Sequence, residues 1–165
     1  MFLCLAQNAA ASATSSLFAD ITNAPAVQSL ARRLEHGGVL TCAGVSQVAQ
    51  PFFAALLRKI FPRRPMVVVT GNLKTQESFQ QDLETWLGAP PLFYPPWDAL
   101  PHEGKLPHAD TISDRLQTLV VLSLDAARNP QLAPLLVTSV TALLQKNSRK
   151  AFVTPLDVPP EALLR

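Results

Sequence analysis

Apolar positions repeat along this chain in two distinct periods. Val27, Leu30, Ala31 and Leu34 recur at the three- and four-residue spacing of one helix face, with Asn23 placed as a cap, Pro25 in the first turn and Gly37-Gly38 as the stop. Val39-Leu40-Thr41-Cys42-Ala43 is a short apolar run ended by Gly44, which predicts a buried strand. From about Val48 to Phe61 the helical period returns through Phe52, Phe53, Leu56, Leu57 and Ile60, and Pro62 bounds it. Met66-Val67-Val68-Val69-Thr70, between Pro65 and Gly71, is a continuous β-branched run whose apolarity on both faces predicts a central strand. Asn72 then caps a helix with Leu73, Phe79, Leu83, Trp86 and Leu87 on one side, Gly88 suits its left-handed terminus, and Ala89-Pro90-Pro91 prevents continuation.

The second half alternates in the same way. Leu92-Phe93-Tyr94 predicts a short strand, and Thr111 with Asp114 matches a capping box for a helix to about Arg128, ended by Asn129-Pro130. Leu135 to Thr138 predicts another strand, Ser139 the cap of a short helix through Leu144, and Ala151-Phe152-Val153 a last strand. Strands alternating with helices imply right-handed crossovers. The predicted fold class is therefore α/β, a three-layer, mainly parallel sheet with flanking helices.

Composition narrows the class. A chain of 165 residues with 48% hydrophobic and 16% charged residues is a single globular domain, and no apolar run reaches the length needed to span a bilayer. Residues 1–16 read as a disordered leader: no Lys or Arg precedes the short apolar part and Gln7-Asn8 interrupts it, unlike a signal peptide. Cys4 and Cys42 offer no disulfide framework and suit a reducing cytoplasm. A net charge of +2 implies no polyanionic partner by itself, although Arg58-Lys59 and Arg63-Arg64 are tight cationic pairs, either ordinary solvation or contacts for nucleic acid.

Where a nucleotide-binding α/β domain carries its phosphate loop, this chain has residues 41–48. Aligned on Gly44, Thr41 stands at the first glycine, Ser46 at the third, Gln47 at the lysine and Val48 at the magnesium-binding Ser/Thr. Gln47 lacks the charge, Val48 cannot ligate a metal, and Thr41 and Ser46 bring side chains where phosphate needs close backbone approach. Pro51 would also clash with the carbonyl of Gln47 if the helix were already regular there. These positions predict a degenerate loop kept for packing, with no cofactor and no catalytic residue. His102, Glu103, His108 and Asp110 offer metal-type side chains, but at no compact zinc spacing, and read as loop polarity with no metal.

The densest stretch runs from Phe93 to Leu119, FYPPWDALPHEGKLPHADTISDRLQTL. Its prolines make the backbone stiff, and Trp97 reads as an internal anchor. Trp97-Asp98, Leu100-Pro101 and the segment with Arg115-Leu116 resemble the N-terminal, UvrB-like module of the bacterial transcription-repair coupling factors (Mfd). The resemblance covers Leu17 onwards, with residues 17–150 as the UvrB-like domain and 151–165 as the start of the next segment of the module. It implies a non-catalytic scaffold with a degenerate nucleotide site. In the full-length family, separate motor domains use ATP and magnesium to translocate on DNA, stalled RNA polymerase is removed, and UvrA is recruited for excision repair. Since the UvrA-binding segment of the family begins about where residue 165 falls, the resemblance implies an incomplete module that binds UvrA weakly or not at all. A UvrB-type nucleic-acid-binding module and an independent nucleotide-dependent enzyme are the other readings.

Overall fold

The computed structural model describes residues 16–99, 106–128 and 133–145, with side chains of 124–128 left aside. The leader through residue 15, and the predicted strand at Ala151-Phe152-Val153, lie outside the described residues. Ser16, counted with the leader, already belongs to a helix, α1, over 16–22. The other elements are α2 (Pro25–Glu35), a 3-10 turn (Gln47–Ala49), α3 (Gln50–Ile60), β1 (Met66–Thr70), α4 (Leu73–Leu87), β2 (Leu92–Tyr94), α5 (Ala109–Arg128), β3 (Leu135–Ser139) and α6 (Val140–Leu144).

The three strands form one parallel sheet in the order β1-β3-β2, with Met66 beside Leu135 and Leu92 beside Leu136. The chain steps over the β3 position from β1 to β2, then returns one place to β3. Right-handed crossovers in opposite directions must lie on opposite faces. Accordingly α4 covers the face of Met66, Val68, Leu135 and Val137, and α5 packs on the other, over Tyr94. The main core lies on the α4 side. There Leu135 and Val137 meet Ala55, Leu56, Phe79 and Leu83, while Phe18, Phe52 and Trp86 pack as an aromatic trio joining α1, α3 and α4.

Three expectations are corrected. β1 is an edge strand among the described residues and β3 is the central one; Val67 and Val69, on the α5 face, are 59% and 48% exposed because no helix among the described residues covers them. Residues 39–43 form no strand: they are irregular, pair with no strand among the described residues, and leave Val39 97% exposed. The cap of α2 is Ala24 rather than Asn23, and no side chain bonds there; Pro25, which needs no N–H partner, opens the helix instead.

Other termini follow the local chemistry that was read. Asn72 Oδ1 accepts the Thr75 N–H at 2.9 Å, and Gly88 closes α4 at φ 73°, the left-handed conformation that glycine takes without strain. Ser139 Oγ accepts the Ala142 N–H at 3.3 Å and starts α6.

Candidate functional site

In an open parallel sheet, ligands enter beyond the carboxyl ends of the strands, where helix N-termini and loop amides converge. Here that edge is occupied by the protein's own side chains. Gln76, fully buried in the first turn of α4, donates its amide to the carbonyls of Tyr94 at 3.0 Å and Val137 at 3.1 Å, spanning β2 and β3. Thr138 Oγ1 donates to the same Tyr94 carbonyl at 3.0 Å, and Thr70 Oγ1 to the Thr138 carbonyl at 3.2 Å. Gln76 Oε1 is buried and has no partner among the described residues.

The region read as a degenerate phosphate loop lies beside this edge. Thr41 and Gly44 sit in irregular, exposed chain, Ser46 precedes the 3-10 turn without making a side-chain cap, and Val48 points almost wholly to solvent. The 3-10 turn also resolves the clash foreseen for Pro51: the α-helix begins only at Gln50, so Pro51 falls in its first turn. Gln47, Val48 and Pro51 face Lys74, Thr75 and Phe79 of α4 across a cavity of about 320 Å³.

The second feature is the loop after β2, held by two clamps. Arg115, 1% exposed, lies with its guanidinium carbon 4.0 Å from the Tyr94 ring centre and 4.2 Å from that of Trp97. It donates to the Pro95 carbonyl at 2.6 Å and to the Tyr94 hydroxyl at 2.5 Å. Burial pushes its pKa below the usual arginine value, while the Tyr94 hydroxyl opposes that shift. Gln145, just past α6, accepts the Trp97 N–H with its Oε1 at 2.5 Å and donates from Nε2 to the Trp97 carbonyl at 3.3 Å. Trp97 is thus gripped on its ring and on its backbone, although it is only half-buried.

Asp98 has a defined task. Its carboxylate accepts the His108 N–H at 3.0 and 3.2 Å, placing a negative group at the positive end of α5. The helix begins at Ala109, with Ile112 N–H on the His108 carbonyl, so Thr111 and Asp114 lie inside it and form no capping box. The real N-terminal acceptor comes from ten residues upstream, beyond the reach of a local motif. Thr118 Oγ1 donates to the Phe93 carbonyl at 2.6 Å, and Leu116 is 42% exposed.

Leu100, Pro101, His102 and Glu103 lie outside the described residues. His108 and Asp110, the other half of that cluster, are paired at 3.3 Å and exposed. No group of three metal-type side chains occurs among the described residues. Of the cationic pairs, Arg58 is buried and donates to the carbonyls of Arg64 and Ala133, which withdraws it from any outer contact surface. Lys59 and Arg63 are exposed; Arg64 is exposed too, but stacks on Phe61 and donates to the Leu34 carbonyl at 2.9 Å. Gln76, Thr138 and Gln145 were not singled out from the sequence. A glutamine three residues into a capped helix that follows a strand was the available signal for Gln76.

Fold and site define a class: a parallel α/β domain whose ligand-binding edge is closed by internal hydrogen bonds. No family model and no solved structure matches the chain. Its sequence is similar to the transcription-repair-coupling factors of Mycobacterium bovis and Mycobacterium tuberculosis, each 36% identical over 83 residues, which is 49% of this chain and 7% of the relative. The chain thus spans a small fraction of the length of the curated relatives it matches. No helix among the described residues is long and apolar enough to cross a membrane.

Proposed function

We propose that this chain is a non-catalytic, UvrB-like scaffold module of a transcription-repair coupling factor. The observation that carries the non-catalytic part is the closure of the sheet's carboxyl edge by Gln76, Thr138 and Thr70, next to a loop in which Gln47 and Val48 replace the phosphate and magnesium contacts. Similarity to the two mycobacterial coupling factors supports the setting in transcription-coupled repair. In that setting the module belongs to the cytoplasm. UvrA, RNA polymerase and DNA are partners of the assembled factor, and ATP with magnesium serves its motor rather than this domain.

Calorimetry with magnesium-ATP tests the central claim and should give no binding heat. A dissociation constant tighter than about 100 μM would refute it. A UvrA pull-down comparing residues 1–165 with a chain extended by the family's next segment tests the setting: capture is expected only for the extended chain. Retention of double-stranded DNA by residues 1–165 alone at physiological salt would favour a nucleic-acid-binding module instead.

A further inference from the structure

At the amino end of the sheet, opposite the closed edge, lies a cavity of about 510 Å³. That is within the range of small-ligand sites. Its walls include Pro62, Pro90, Pro91 and Pro134, with Arg58 and Lys59 of α3 on one side. Prolines have fixed φ and almost no side-chain freedom to lose, so a pocket built from them is preformed and costs little to order around a guest. Leu92, Val121 and Leu135 make the remaining surface mainly apolar.

The charge in that wall is the unusual feature. Arg58 is 7% exposed, and two of its N–H groups go to the main-chain carbonyls of Arg64 and Ala133. It has no carboxylate partner among the described residues, nor has its neighbour Lys59, whose ammonium lies 5.9 Å from the centre of the Phe18 ring. Buried cations are ordinarily paired with anions, and a guanidinium carries five donors, more than two carbonyls consume. Burial also pushes the Arg58 pKa down, as expected of a cation lacking a counter-charge. An apolar cavity bordered by two cations, neither with a counter-ion among the described residues, is complementary to a guest that is apolar over most of its length and anionic at one end.

We propose that this cavity binds a small amphipathic monocarboxylate, its tail among Leu92, Val121 and the prolines and its carboxylate facing Arg58 and Lys59. The site is independent of the repair assignment and requires no nucleotide chemistry.

The test uses the full chain and three probes: octanoate, 1-octanol and acetate. Octanoate should saturably shift the backbone NMR signals of Arg58, Lys59, Leu92, Val121, Ala133 and Leu135, with a dissociation constant of about 1 mM or tighter, as the ligand-efficiency range allows for ten heavy atoms. Octanol should bind at least about tenfold more weakly for want of the charge-assisted contact. Acetate should produce no shifts at the same concentrations, and added salt should weaken octanoate but not octanol. Lys59→Gln, at an exposed position, should weaken octanoate roughly threefold and leave octanol unchanged. Val121→Trp, which fills the cavity from α5, should abolish octanoate binding. Equal binding of octanol and octanoate, shifts centred elsewhere, no octanoate binding, or undiminished binding by a folded Val121→Trp chain would each overturn the proposal.

Discussion

Replacing Arg115 by lysine keeps a positive charge at the same depth and removes only the planar fork. The guanidinium lies between the rings of Tyr94 and Trp97, at 4.0 and 4.2 Å, while donating to the Pro95 carbonyl and the Tyr94 hydroxyl. An ammonium is a point donor and cannot fill the gap between two rings while reaching both oxygens. One charge-assisted hydrogen bond, about 1.5–3 kcal/mol, and one cation–π contact, about 0.5–2 kcal/mol, should be lost. The contacts share one side chain and are not additive, so the expected cost is about 2–4 kcal/mol. For a domain of this size that lowers the melting temperature by roughly 4–16 °C. Thermal melting measures the loss, and fluorescence locates it: of the two tryptophans, Trp86 can be replaced by Phe so that Trp97 alone reports. The Arg115→Lys variant should shift Trp97 emission to the red as the ring gains solvent. Melting within about 2 °C of the parent would refute the clamp, and so would an Arg115→Met chain as stable as the parent, since a buried cation can be replaced without loss where its bonds contribute nothing net.

Gln76→Met keeps the side-chain volume but removes the amide from two buried carbonyls, and urea titration should show a loss of about 1–3 kcal/mol; no change would mean the edge is not held by this residue. Asn72→Ala should cost about 1 kcal/mol through the lost Thr75 cap, read in the same titration, with Asn72→Ser recovering most of it. Val67→Lys and Val69→Lys, on the exposed face of an edge strand, should leave the melting temperature unchanged and reduce self-association in light scattering. Equal scattering by parent and variants would show that this edge does not mediate association.

The parts of the fold that could be read from sequence are those set by neighbours in the chain. Asn72 and Ser139 were legible as caps because the bond each makes spans three residues, and Gly88 because a left-handed residue must follow the helix. β1, β2 and β3 were legible as β-branched or aromatic runs between prolines, glycines and polar stops. Strand order was not. An all-apolar run predicts a central strand, yet among the described residues β1 is at the edge, because burial of a strand is set by which crossovers flank it and not by its own composition. Residues 39–43 carry the right side chains for a strand, but a strand exists only as half of a ladder, and no strand among the described residues pairs with them.

The site divides along the same line. That Gln47 and Val48 lack the charge and the hydroxyl of a phosphate loop is a statement about side-chain types, so the sequence alone suffices for it. What closes the carboxyl edge is different in kind, because Gln76 reaches carbonyls 18 and 61 residues away and Gln145 grips a tryptophan 48 residues upstream. Asp98 serves α5 from ten residues away, and the local Thr111–Asp114 pattern that mimicked a capping box lies one turn too far along. The bonds of Gln76 and Asp98 satisfy backbone groups left open near the ends of β2 and β3 and at the start of α5, in the region where an enzyme of this architecture binds its ligand. In the described residues the carbonyls of Phe93, Tyr94, Pro95, Trp97, Val137 and Thr138 are all engaged by side chains of the protein itself. These carbonyls are held internally, and their engagement, together with Gln47 and Val48 at the place of a phosphate loop, supports the structural role proposed above.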